Sequence, residues 1–380
     1  AELGCEPAEV MFTSCGSESD NHAIASAVEA ARLSGVKMPH VVTCAVEHPA
    51  ILEYLVAAHA AGTLTYTSVG VDDDGIVNPA VVAAAVGPNT CLVTIMHANN
   101  EVGAVQPVAE VSALARAKKA DVLIHTDAAQ SCGKIPVKVN DLGVDMCTIV
   151  GHKIGAPKGV AALYVRAGAP LQKMLHGGGQ EGGRRAGTEN VLHIVGLGAA
   201  CALVEEEATE LPKYLAGLRD ALQVRLKLKL GGEDGLGVRV NGPGEDSKRL
   251  PNTLSIGIRG LSASVVLAGL GDRMAASAGA ACHTGEAAKI SSVLSAMRVP
   301  EEYAVGTLRL TVGRHTTQAD VERGADLIIA AASAQLDEIA ALPEGQRPAW
   351  CIRDALKGQA QGTSAASDAL KKEAVAAAKA

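Results

Sequence analysis

Aromatic side chains are scarce in this chain: one Phe, one Trp and five Tyr among 380 residues. The core must therefore be built from Ala, Val, Leu and Ile. Positive charge is not in excess either. The 34 Lys and Arg face 41 Asp and Glu, a net charge of −7, which argues against non-specific nucleic-acid binding. No apolar run approaches the roughly 20 residues of a membrane-spanning helix, so no membrane span is expected. The nine cysteines are odd in number and include no C-x-x-C pair. That pattern gives no zinc spacing and argues against a disulfide framework, so a reducing intracellular compartment is expected (cytosol, mitochondrion or plastid alike) and no metal site. The chain also shows no internal repeat. What it does have is 48% hydrophobic residues, enough for a globular protein with a sizeable core.

Short apolar runs alternate with helical patterns through the first two hundred residues. Strands are expected at 9–13, 40–46, 91–96, 122–126, 146–150 and 160–165. Several are continuously apolar, as befits strands buried on both faces. Helices are expected at 18–33, 50–60, 79–86, 108–118 and 128–134, then in one long pattern from 191 to about 229. Such alternation implies a mainly parallel sheet flanked by helices. After a Gly-rich joint at 231–244, strands at 253–258 and 307–312 and helices at 262–270 and 318–342 suggest a smaller α+β region. The expected division is a large domain at 1–208, a small C-terminal domain at 209–345 and an Ala- and Lys-rich tail at 346–380.

Polar groups collect where these strands end. The first runs into SCGSESDN, where Gly16 and Ser17 would open a helix and offer N–H groups to an anion. The others end at Glu47-His48-Pro49, at HANNE with Asn99 and Asn100, at Asp127 followed by Gln130, and at His152-Lys153. Singly, each reads as a cap, a turn or a core residue. Together they place ligand-binding groups off the carboxyl ends of a parallel sheet, where α/β proteins bind ligands. The set suits pyridoxal 5′-phosphate, which needs a Schiff-base lysine, an acid at its pyridine nitrogen and an anion cradle. Lys153 would supply the amine and move the substrate's α-proton; Asp127 would keep the ring nitrogen protonated. His48 would stack on the ring, and Gln130 would hydrogen-bond the phenolic oxygen.

HTDAAQSCGKIPV, TIVGHKIGAPKGVAALYVR and HGGGQEGGRRAGTEN, in this order, resemble the class V aminotransferase family, in its cysteine desulfurase and selenocysteine lyase branch. The resemblance implies the aspartate-aminotransferase-like fold type I and a homodimer with active sites at the subunit boundary. It makes Lys153 the Schiff-base lysine, Asp127 the pyridinium partner and His48 the stacking base. Asn100 and Gln130 would contact the cofactor, and Gly16, Ser17 and His152 its phosphate. Thr188 would reach the phosphate of the partner subunit. The nucleophile falls at Cys282 in SAGAACHTG, with His283 beside it to favour the thiolate. Arg309 in TLRLTVGR would clamp the substrate carboxylate. The implied reaction removes sulfur or selenium from L-cysteine or L-selenocysteine and leaves L-alanine. In desulfurases the cysteine holds a persulfide for an acceptor protein; in the lyases the atom removed is selenium.

The chain departs from the family pattern in three places. It opens at Ala1 without the usual Asn-Ala-Thr-Thr segment, so a missing N-terminal part is expected. Val150 stands where many desulfurases have a phosphate-binding serine, and GAACH departs from their cysteine context. TIVGHK and GAACH resemble the lyases, which tilts the reading toward selenocysteine. The alternatives are a persulfide-forming desulfurase, a transaminase that does not need Cys282, and a catalytically weak scaffold paralogue.

Overall fold

The computed structural model describes residues 3–231, 237–281 and 289–347. The chain divides into two compact units. The first comprises residues 1–100, 104–210 and 245–250; the second comprises 101–103, 211–244 and the chain from 251 onward. Cys282, His283 and most of the 346–380 tail lie outside the described residues.

The first unit is built on seven strands: β1 (Val10–Thr13), β2 (His40–Cys44), β3 (Thr65–Val69), β4 (Thr90–Thr94), β5 (Leu123–Asp127), β6 (Met146–Val150) and β7 (Ala161–Val165). Its helices are α1 (Gly16–Leu33), α2 (Pro49–Ala60), α3 (Pro79–Ala84), α4 (Val108–Lys118), α5 (Val139–Leu142) and α6 (Val191–Glu207). The strands form one sheet in the order β1-β7-β6-β5-β4-β2-β3. β7 is antiparallel to both neighbours, and the remaining neighbours pair in parallel. Strands β4 to β7 are buried along their whole length, which is why they read as continuous apolar runs. β1, β2, β4, β5 and β6 therefore all end on one edge of the sheet. Ala23, Ile24, Ala27 and Val28 of α1 pack with Met11, Leu92, Met146 and Leu163 of the sheet. The two alanines bring helix and sheet backbones close. Burying a side chain the size of Ile24 contributes about 1.5–3 kcal/mol. The core is aliphatic, as the composition requires.

Three expectations are corrected. Residues 128–134 form turns and no helix. Their hydrogen bonds run from Cys132 N–H to Ala128 and from Ile135 N–H to Ser131, but Gly133 takes a left-handed φ of 73° and Pro136 follows, so no helix propagates. The long pattern from 191 is two helices, because Pro212 favours a fresh start in the first turn of the next one. Strand β3 was not expected: TYTSV is half-exposed, so it lacks a continuous apolar run.

The second unit holds α7 (Leu211–Leu230), β8 (Val238–Asn241), β9 (Thr253–Ile258), α8 (Ala263–Leu270), β10 (Ser277–Ala278), β11 (Ala280–Ala281), β12 (Lys289–Ile290), α9 (Ser292–Ala296), α10 (Glu301–Ala304), β13 (Thr307–Thr311) and α11 (Gln318–Ala341). β8 thus lies inside the segment read as a Gly-rich joint. The sheet β10-β13-β9-β8 is antiparallel throughout. Leu218 and Leu222 of α7 share its core with Ile256, Leu308, Ala325 and Ile328. Thr317 and Asp320 form a reciprocal capping box that starts α11.

Candidate active site

The loop from β1 into α1 is tied down by charge. Glu18 accepts the Ser14 N–H at 2.8 Å and also the Ser14 hydroxyl. Its carboxylate takes both Nε and Nη2 of Arg185, at 2.7 and 3.1 Å. Burial pushes the Glu18 pKa up, but the hydrogen bonds of Arg185 and Ser14 outweigh it and hold it low. The bidentate pair thus fastens the RRAGTEN segment to the start of α1. Gly16 opens that helix in contact with the end of β6: a Cβ there would meet Val150 Cγ2 at 2.6 Å. Only glycine allows this approach, and it brings the first-turn N–H groups close to the sheet.

His48 ends the β2 connection and caps α2. Its Nδ1 accepts the Ala50 N–H at 3.1 Å, so a neutral ring carries its proton on Nε2. The imidazole is exposed and accessible to a ligand. Glu47 before it is buried, its Oε1 accepting the Met96 N–H at 2.7 Å and the Cys44 thiol at 3.1 Å. Its Oε2 has no hydrogen-bond partner among the described residues. Burial, with a smaller push from Asp127, raises its pKa to about 8.

Asp127 is 6% exposed at the end of β5. Its Oδ1 accepts the Ala129 N–H at 2.8 Å and its carbonyl accepts the His97 N–H at 2.8 Å. Burial raises its pKa; the Ala129 N–H and the charges of His48 and Lys153 pull it back. His48, Asp127 and Lys153 each stand at or just after the end of a strand of this sheet (β2, β5 and β6). Asp20 of α1 lies behind them, with Oδ1 3.8 Å from His125 Nε2. This is not an ion pair. Burial drives His125 down to about 3 and Asp20 well up, with Asp127 repulsion adding to the latter.

Lys153 closes a single turn at Gly151–Lys153 after β6 and is exposed, as is His152. Burial lowers the His152 pKa, with Lys153 and Lys158 adding to it. Gln130 is half-buried in the turn after Asp127, and Asn100 is half-buried after β4. Asn99 serves the fold: it is fully buried and donates Nδ2–H to the Val46 carbonyl at 3.0 Å. Thr188 is exposed and lines a cavity of about 230 Å³ together with Thr13, Ser14 and Arg185. Arg309 belongs to the second unit, where Nη2 donates to Ser277 Oγ at 3.0 Å.

The first unit therefore gathers Gly16, His48, Asp127 and Lys153 on the sheet edge where the strands end. The sequence reading assigned no role to Glu18, Arg185, Glu47 or Asp20. Glu47 was legible as an acid flush against a strand end, but its burial was not.

The residues fit pyridoxal 5′-phosphate. They offer an accessible amine, a buried carboxylate, an exposed imidazole and a helix start pressed against the sheet through a glycine. The Aminotransferase class-V family matches residues 3–323. This chain belongs to that family. Its members are pyridoxal 5′-phosphate enzymes of fold type I. The chain is 41% identical to a cysteine desulfurase of Nostoc sp., over 85% of this chain and 77% of that one. It is 42% identical to the selenocysteine lyase of Bos taurus, over 84% of this chain and 78% of that one. Among solved structures, a NifS-like protein superposes with a TM-score of 0.78 at 33% identity, covering 88% of this chain and 85% of that one. The near-equal identities to desulfurase and lyase do not separate sulfur from selenium.

Proposed function

We propose that this chain is a pyridoxal 5′-phosphate enzyme that removes selenium or sulfur from L-selenocysteine or L-cysteine and leaves L-alanine. The observation that carries the reading is the convergence of Lys153, Asp127 and His48 on one sheet edge, in a family whose relatives here are named for these two reactions. The cofactor, when bound, supplies an electrophilic carbon and a ring that takes up the electrons of the broken Cα–H bond. Lys153 would hold the cofactor through Nζ, and the same nitrogen, when free, would take the α-proton of the substrate. Asp127 would partner the ring nitrogen and keep a proton on it; a cationic ring would offset the burial that raises the carboxyl's pKa. His48 would cover one ring face. Gln130 donates to the phenolic oxygen, and Asn100 borders the cofactor and substrate. Gly16, Ser17 and His152 bind the phosphate.

Arg309 clamps the substrate carboxylate. Cys282 attacks the substrate's sulfur or selenium as a thiolate. The new bond to the Cys282 sulfur forms as the bond to Cβ breaks; Cβ keeps the electron pair and takes a proton. An acceptor protein or thiol then takes the transferred atom. Selenocysteine is the preferred substrate in this reading, on the likeness of TIVGHK and GAACH to the lyases. The desulfurase reading rests on relatives of similar identity, 41% and 38% against 42% for the lyase.

The active unit is read as a homodimer in which Thr188 serves the phosphate of the second copy's site. Its support is the apolar surface that begins just after Thr188: Val191, Leu192 and Val195 are 65%, 78% and 66% exposed.

The test is alanine formation from each amino acid, with wild type and Cys282→Ala. The reading expects alanine from both, faster from selenocysteine, with cysteine turnover lost in the variant. No alanine from either by cofactor-loaded protein overturns it; equal or faster cysteine turnover overturns the selenium preference.

A further inference from the structure

The turn after β5 ends in a second lysine that the mechanism does not use. The turn starts at Asp127, whose carboxylate accepts the Ala129 N–H at 2.8 Å. It ends at Lys134, whose Nζ donates to the Gln130 carbonyl at 2.8 Å. These two bonds bracket the backbone of Gln130. Gly133, between them, has φ 73°. A Cβ there would meet Val204 Cγ2 at 2.8 Å and Ile154 Cγ2 at 3.2 Å. Ile154 directly follows Lys153, so the turn rests against the segment that carries the Schiff-base lysine.

We infer that Lys134 is a positioning residue of the cofactor site, pinning the Gln130 turn and holding a positive charge beside Lys153; the inference rests on the function proposed above. Lys134 is half-buried. Burial pushes its pKa down to about 8, Cys132 opposes this, and the charge of Lys153 adds to it. The interaction is reciprocal: if Lys153 disfavours a proton on Lys134, Lys134 disfavours a proton on the nitrogen of Lys153. A lysine so influenced is more often unprotonated, and so better able to attack the cofactor and to take a proton from substrate. Asp127 and His152 also share a charge interaction with Lys153. Asp127 acts in the opposite sense. His152 and Lys158 are exposed and screened by solvent. Lys134, less exposed than these two, is a cation placed to offset Asp127.

The experiment is a pH titration of the visible absorption that pyridoxal 5′-phosphate gives when bound through lysine, in wild type, Lys134→Met, Lys134→Gln and Lys134→Arg. A removed cation should raise the midpoint by about half to one unit. Lys134→Met should show that rise together with weaker cofactor binding, roughly 5- to 10-fold. Lys134→Gln, which keeps a donor for the Gln130 carbonyl but no charge, should bind more tightly than the Met variant and still show the raised midpoint. Lys134→Arg should titrate like wild type. A purely structural role would change affinity and leave the midpoint alone. Midpoints unchanged in both the Met and Gln variants overturn the inference, whatever the affinities. A wild type with no such absorption overturns the proposed function instead. Should Lys134→Met fail to fold, the Gln and Arg variants decide the question.

Discussion

Two side chains at the site differ in how much they need their burial. Lys153 is exposed, and the task proposed for it is covalent. Lys153→Ala should remove the visible absorption of the cofactor-loaded protein and all alanine formation while leaving the circular dichroism unchanged; absorption that persists would move the covalent link to another lysine. Glu47 is buried, with two donors on one oxygen and none on the other. Its pKa is about 8 in the folded chain against an ordinary 4.5. The folded state therefore binds more protons than the unfolded state between those values, and stability falls as pH rises through that window. Glu47→Gln, the isostere of the protonated acid, should flatten this fall and raise stability near pH 8 by a few kcal/mol. Chemical denaturation at pH 5.5 and pH 8 checks it. A variant that loses stability with pH as steeply as wild type would show that Glu47 is already ionised.

At the level of elements, the contact between α1 and the end of β6 would set the proposed anion cradle. Gly16→Ala places a methyl 2.6 Å from Val150 Cγ2, so the helix start must move. The expected cost is about 1–3 kcal/mol of stability, with weaker cofactor affinity by fluorescence titration. Val150→Ala in the same chain should restore much of that affinity, because it removes the clashing methyl. Affinity that stays low in the double variant would mean that the helix start is displaced for another reason. The strands that position this site were legible because they are buried on both faces and read as apolar runs. The corrected elements lacked a clean signal of that kind. Edge strand β3 carries polar residues on its exposed side, and the 128–134 turn has helical spacing but is stopped by Gly133 and Pro136. Lys153, Asp127 and His48 were legible as polar residues ending apolar runs. Glu18, Glu47 and Arg185 were not, because their roles depend on partners distant in sequence or on burial. Glu18 and Arg185, for example, are 167 positions apart.

At the scale of the whole molecule, the proposed active unit is a symmetric pair. Leu192→Asp puts a charge on the apolar surface formed with Val191 and Val195. It should shift the protein toward monomer in sedimentation velocity and weaken phosphate retention, since Thr188 would no longer meet the second copy's site. A Leu192→Asp protein that stays dimeric and holds its cofactor normally would place the interface elsewhere. The central claim is narrower: one lysine, at the end of β6, holds the cofactor. The most direct measurement is borohydride reduction of the loaded protein followed by peptide mass mapping. The account predicts a phosphopyridoxyl group on Lys153 and none on Lys134 or Lys158; the group on either of those, or on no lysine, would contradict it.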